Sequence, residues 1–273
     1  MTLLPRLLAA YRARGYEIAS GLNPAHWDGF DLAPFTWLVK DGQSVTNGLG
    51  IALGEVIFLE HLLAAWPARR ILVIGNSFGW SALALGLAAP HGARLVALDA
   101  GLDPFSEEGL SLTEDMAHEL GLHVRAVKGF SPQAVPALMA EHFPDGLDLV
   151  FVDGLHTVEQ VEKDWRAVAP FLARPGAVLF HDVRNCGLEP GMAAVGAAAG
   201  QMPRLLEATA SGMAILAHDL PPEAEAVLDA YSLSEGARAA VEAGLRWRRN
   251  RRWERLKRSI RKRWPGRDQK AAG

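Results

Sequence analysis

The stretch LDLVFVDGLH, residues 147–156, is mostly apolar up to Val152, then presents Asp153 and, three positions later, His156. A second apolar run, GAVLFHD at 176–182, ends in the same manner on His181 and Asp182. Carboxylates at the ends of two adjacent strands suit a hard divalent cation such as Mg²⁺. An imidazole beside them can take a proton from a hydroxyl, although it is a softer ligand than Mg²⁺ favours. The plain alternatives are an aspartate that caps the next helix and an ordinary turn histidine.

Both runs belong to a longer alternation. RILVIG (70–75), RLVALD (94–99), HVRAV (123–127), LDLVFVD (147–153) and AVLFHD (177–182) read as buried strands. WSALALGLAA, LTEDMAHEL, PQAVPALMAEHF and VEQVEKDWRAVAPFL lie between them with helical spacing, and Trp165, Phe171 and Leu172 read as core. Strands apolar on both faces, alternating with helices, predict an α/β, doubly wound, mainly parallel Rossmann-like sheet. RLLEATA and GMAILAH, separated by Ser211, predict an antiparallel hairpin that closes it. Upstream, a helix is expected over 1–20 and another from about Ile51 to Trp66, with an aromatic-rich irregular stretch between them. Ligands of such sheets bind outside the C-terminal strand ends, where strand order reverses. Asp153, His156, His181 and Asp182 are all placed there.

So is a glycine turn. ILVIGNSFGWSALAL is a strand, a turn bounded by Gly75 and Gly79, and a helix. Glycine permits a tight turn and close approach of backbone to a ligand, and Asp99, ending the next strand, is placed to bind a ribose diol. Ser77 stands where a pyrophosphate-binding turn has its middle glycine, and no G-K-[ST] follows. A nucleoside ligand without a pyrophosphate fits better than a dinucleotide or a nucleoside triphosphate.

VIGNSFGWSALALGLA, VALD, VKGFSPQAVPAL and FVDGLHTVEQVEKDWRAVAPFLARPGAVLFHDV together resemble a class I S-adenosylmethionine-dependent methyltransferase. More narrowly, the chain is similar to the catechol O-methyltransferase-like group and the macrocin-type sugar O-methyltransferases, over roughly residues 45 to 220. The resemblance implies a seven-stranded sheet with an antiparallel last strand. It implies that Gly75, Ser77 and Gly79 surround the methionine part of S-adenosylmethionine and that Ser81 binds its carboxylate. Asp99 would hold the ribose and Ser131 would lie near the adenine, with Asp153 also touching cofactor and Thr46 and Asn47 closing over it. Asp153 would bind the metal, Mg²⁺ or another divalent cation, together with His181 and Asp182, where catechol-type relatives have Asp-Asn. His156 would be the general base, since Leu155 occupies the place of the family's alternative acidic base.

The formal net charge of −3 conceals an asymmetry. Residues 246–267 hold twelve Arg or Lys against Glu254, which leaves the rest of the chain near −14. Trp253, Leu256, Ile260 and Trp264 form one apolar stripe in this segment. A basic amphipathic helix of this kind suits an anionic membrane surface, single-stranded nucleic acid, or packing on an acidic body, including that of a second subunit in a homo-oligomer. The expected divisions are a helical cap at 1–45, a methyltransferase domain at 46–220 and a helical extension at 221–273. Cys186 is the single cysteine, which fits a reducing, cytoplasmic setting. Neither a transmembrane helix nor a secretory signal is expected.

The expected function is therefore methyl transfer from S-adenosylmethionine to a hydroxyl of a small molecule: a sugar, a polyketide-like compound or a phenol. Trp27, Phe30, Phe35 and Trp37 are expected to shape the acceptor pocket. The competing readings are a metal-independent nucleic-acid methyltransferase, a non-catalytic cofactor-binding protein at a membrane and, against Ser77, a nicotinamide oxidoreductase. His61 and His218 receive no role.

Overall fold

The computed structural model describes residues 2–102 and 105–263, with the side chains of Asn250 and of residues 252–263 left aside. The chain divides into two units, Met1–Ser232 and Leu233–Gly273. In chain order the first unit holds α1 (Leu3–Arg12), β1 (Glu17–Ala19), β2 (Trp37–Lys40), β3 (Gln43–Ser44), α2 (Leu53–Ala65), β4 (Arg70–Ile74) and α3 (Trp80–Ala88). It continues with β5 (Arg94–Asp99), α4 (Ser106–Glu119), β6 (His123–Lys128), α5 (Val135–His142), β7 (Leu147–Val152) and α6 (Val158–Val168). It ends with β8 (Leu172–Phe180), α7 (Glu189–Ala199), β9 (Arg204–Leu206), β10 (Met213–His218) and α8 (Pro222–Tyr231).

The main sheet has seven strands in the order β6-β5-β4-β7-β8-β10-β9. From β6 to β8 every pairing is parallel, and β10 runs antiparallel to both β8 and β9. The closing hairpin therefore folds back on itself, so that the last strand in sequence lies inside the short β9.

Side chains alternate across a strand, and here the alternation feeds two cores. Ile71, Val73, Leu95, Ala97, Leu149 and Phe151 join a cluster that includes residues of α1, α2, α3, α4 and α8. Their neighbours Leu72, Ile74, Val96, Leu98, Val150 and Val152 join a second cluster with α5, α6 and α7. Trp165 is buried in the second cluster, with Phe171 and Leu172 packed partly against it.

The N-terminal helix is shorter than its pattern predicts. It stops at Arg12, Gly15 follows at φ 81°, and β1 begins at Glu17. A left-handed glycine just past a helix end turns the chain out of the helix at little steric cost. β1, β2 and β3 form a small antiparallel sheet where the aromatic stretch reads as irregular.

The second unit contains α9 (Glu235–Arg263), in which the Arg251 guanidinium lies 4.8 Å from the centre of the Trp247 ring. The side chains of Trp253, Leu256 and Ile260, and Trp264 altogether, lie outside the described residues. Among the described residues no helix is long and apolar enough to cross a membrane.

Candidate active site

β4 and β7 are hydrogen-bonded neighbours although β5 and β6 intervene in sequence. Strand order reverses between them, and a cavity of about 640 Å³ opens at their C-terminal ends. Gly75 sits at this point with φ 101°, and a Cβ there would lie 2.1 Å from the carbonyl oxygen of Asp153. Glycine is thus required by the approach of one strand end to the other, in addition to whatever approaches from the cavity. At Gly79 (φ 77°) an added Cβ would meet Thr113 Oγ1 at 2.2 Å, so this glycine packs the turn onto α4.

The turn is tethered from beneath. Asp99 Oδ2 accepts the backbone N–H groups of Asn76 and Ser77 at 2.8 and 3.0 Å, and its Oδ1 accepts that of Gly101 at 2.8 Å. Three of the roughly four acceptor positions of a carboxylate are taken by main chain. The amides of residues 76 and 77 therefore point at Asp99 and not at a ligand. Ser77 is held at φ 46°, an uncommon conformation for a residue with a side chain.

Gly75, Ser77, Ser81 and Asp99 line the cavity, whereas Gly79 does not. Ser131 lines it from the loop after β6 and donates to Asp164 Oδ1 at 2.6 Å. Gln160 Nε2 donates to the same oxygen at 2.7 Å and to the Ser131 carbonyl at 2.9 Å. Burial raises the pKa of Asp164 and outweighs these two bonds, which act the other way. Thr46 also reaches the cavity, while Asn47 does not. Of the four cap aromatics only Phe35 lines it. Trp27 and Phe30 are solvent-exposed, and Trp37 packs against Phe30.

At the rim, Asp153, His156, His181 and Asp182 offer ligand atoms that all lie within 4.8 Å of one another. His156 Nε2 lies 3.3 Å from Asp153 Oδ1 and 3.6 Å from Asp182 Oδ2. His181 Nδ1 lies 2.9 Å from Asp153 Oδ1 and 3.3 Å from Asp182 Oδ2, yet it is a buried atom without an aligned hydrogen bond. The same register brings both pairs together: β7 and β8 are parallel with Val152 opposite Phe180, so each strand releases its polar residues at one level.

The fifth member of the group is Glu55 of α2, which is completely buried. Its Oε1 accepts the Ser211 N–H at 2.8 Å and the Ser211 hydroxyl at 2.6 Å. Its Oε2 accepts the Ala52 N–H at 2.8 Å and faces His181 Nε2 at 3.1 Å. Sequence reasoning missed Glu55 because an acid in a helix's first turn is an ordinary capping choice. The available signal was an acid set among apolar residues in a helix whose other polar residues, Glu60 and His61, come a turn later.

Burial opposes charge on His181, but Asp153 and Glu55 outweigh it and hold the pKa well above that of ordinary imidazole. For Asp153 burial acts upward, and the charge of His181 with the hydrogen bond of His156 brings the net shift downward. His156 follows the first pattern: burial acts downward, and Asp153 and Asp182 raise the value.

A seven-stranded sheet of this order, with a glycine turn and a polar cluster at its switch point, is the Rossmann-like α/β arrangement that the resemblance to class I S-adenosylmethionine-dependent methyltransferases implies. Residues 72–183, which carry the turn and the whole polar cluster except Glu55, match the family described as a methyltransferase domain. No curated protein sequence matches the chain. Among solved structures it is similar to the O-methyltransferase TomG from Streptomyces achromogenes, involved in tomaymycin synthesis and solved in complex with SAM. The two share 17% identity over 78% of this chain and 89% of that one, with a TM-score of 0.51. It is also similar to cofactor-bound Rv0187 from MTB, at 19% identity over 80% and 90% of the two chains and a TM-score of 0.50. At these identities the likeness concerns the fold.

Proposed function

We propose that the chain transfers the methyl group of S-adenosylmethionine to an oxygen of a small-molecule acceptor. The observation that carries this reading is the cluster of two carboxylates and two imidazoles on the rim of the cavity beside the glycine turn. O-methyl transfer is the activity named for TomG, which has the same fold.

The sulfonium already activates the methyl group, so the protein's tasks are alignment and proton removal. Gly75, Ser77 and Ser81 support the methionine end of the cofactor, with Gly79 fixing the turn from behind. Asp99 retains one free acceptor position for a ribose hydroxyl, and Ser131 with Gln160 and Asp164 offers polar groups to the adenine. In the displacement, a lone pair of the acceptor oxygen forms the new O–C bond. The C–S bond breaks with its electrons on sulfur, and S-adenosylhomocysteine leaves. Neutral His156 takes the hydroxyl proton, and Asp153 and Asp182 beside it stabilise the imidazolium that results.

The donor set and the orphaned His181 Nδ1 fit a divalent cation held by Asp153, His181 and Asp182. When bound, such an ion lowers the pKa of an acceptor hydroxyl and stabilises its alkoxide. The test is calorimetric titration with S-adenosylmethionine, followed by transfer of labelled methyl to sugars, phenols and polyketide-type acceptors, with chelator or with added divalent ion. Binding of S-adenosylmethionine with label in an acceptor oxygen is the expected result. No binding under either condition removes the reading; transfer that persists unchanged in chelator removes the cation from it.

A further inference from the structure

We infer that the cation site is built for a first-row transition-metal ion in preference to Mg²⁺, with His181 Nδ1 as a ligand that Glu55 orients. The inference rests on the metal-assisted reading above and concerns the identity of the ion and a residue outside the cluster.

Glu55 fixes the ring of His181 from the far side. An ionised carboxylate only accepts hydrogen bonds, and this one receives two donors on each oxygen: the Ala52 N–H, the Ser211 N–H, the Ser211 hydroxyl and His181 Nε2. Since Glu55 has nothing to donate, Nε2 must carry the proton. A bound ion displaces the proton from Nδ1, and the lone pair of that atom then faces the ion. That atom is buried, has no aligned hydrogen bond, and is aimed between Asp153 and Asp182. A ligating histidine oriented by a carboxylate on its other nitrogen is a recurrent support for bound metal.

The donor set decides the kind of ion. Mg²⁺ favours six oxygens in octahedral array and keeps several waters. Imidazole nitrogen suits Mn²⁺, Fe²⁺, Co²⁺ and Zn²⁺ increasingly well. His181 Nδ1 puts one such nitrogen in the set, 2.9 Å from Asp153 Oδ1 and 3.3 Å from Asp182 Oδ2.

The experiment is calorimetric titration of the full, chelator-stripped chain with CoCl₂ and with MgCl₂, with the visible spectrum of the Co²⁺ form recorded. Wild type, His181→Asp and Glu55→Gln are compared, each checked for folding by circular dichroism. Wild type is expected to bind Co²⁺ more tightly than Mg²⁺. His181→Asp, which restores an oxygen-only set on that strand, reverses the order. In Glu55→Gln the new amide N–H₂ faces a donor or forces the ring to its other tautomer, and Co²⁺ affinity falls by about 10- to 100-fold with a changed visible spectrum. Should Glu55→Gln not fold, the His181→Asp comparison decides. A wild type that prefers Mg²⁺, or a Co²⁺ to Mg²⁺ ratio unmoved by His181→Asp, overturns the inference and leaves metal-assisted transfer standing. No binding of either ion overturns both.

Discussion

Gly75→Ala separates two explanations of the same glycine. If the residue is there only to admit a ligand, alanine leaves the ligand-free protein unchanged and weakens only cofactor binding. The structure gives a different result. The added Cβ lies 2.1 Å from the Asp153 carbonyl oxygen, where ordinary contact begins near 3.4 Å, so β4 and β7 must part by roughly 1 Å in a close-packed region. The backbone is also at φ 101°, which costs an L-residue about 1–3 kcal/mol. Overpacking adds about 1–3 kcal/mol. The sum, about 2–6 kcal/mol, is a large part of a domain's usual stability of about 5–15 kcal/mol. Thermal unfolding of the ligand-free chain, followed by circular dichroism, should show a fall of at least about 4–8 °C. A melting temperature within about 1 °C of wild type, with loss of cofactor affinity alone, refutes the packing argument.

Asp99→Asn places an amide N–H₂ against one of three backbone donors, and the ligand-free protein should lose about 1–3 kcal/mol; denaturant unfolding that shows no loss would mean the turn does not need its tether. Asp164 has its folded pKa raised, so the native state holds its proton more tightly and stability falls as pH rises from the ordinary value of 3.8 through the raised one. Asp164→Asn removes that descending contribution and should leave neutral-pH stability equal or higher; a steeper loss above pH 3.8 in the variant would contradict the sign. Phe151, fully buried, should cost about 3–5 kcal/mol on truncation to Ala, measured by the same unfolding curves. The arginine-rich segment 246–267 predicts that the full chain co-sediments with anionic vesicles and is released by salt; equal recovery with neutral vesicles would count against an electrostatic contact.

Much of the sheet is legible in the sequence because its evidence is local. β4, β5 and β7 are short apolar runs buried on both faces, each ending at a Gly or an acid, so the pattern needs no knowledge of the partner strand; the edge strand β6, read as buried in the sequence, is mostly exposed or half-buried because it has a neighbour on one side only. The N-terminal region is less so. Glu17–Ala19 has no distinctive alternation and becomes a strand because Trp37–Lys40 is there to pair with it. The aromatic spacing likewise cannot say which ring turns inward, and Phe35 alone of the four lines the cavity.

The sequence by itself determined the class of fold, the chain segments that end at the site and the four residues Asp153, His156, His181 and Asp182. These follow from hydrophobic periodicity, which marks where a buried strand stops and a polar side chain can begin. Only the tertiary structure decided what surrounds them. Glu55 meets His181 across 126 residues and Ser211 across 156, and a hydrogen bond over such a separation leaves no trace in local pattern. The duties of Gly75 and Asp99 changed for the same reason. A glycine or an acid at a strand end looks alike whether it faces a ligand or a neighbouring main chain, and only packing distances tell the two apart.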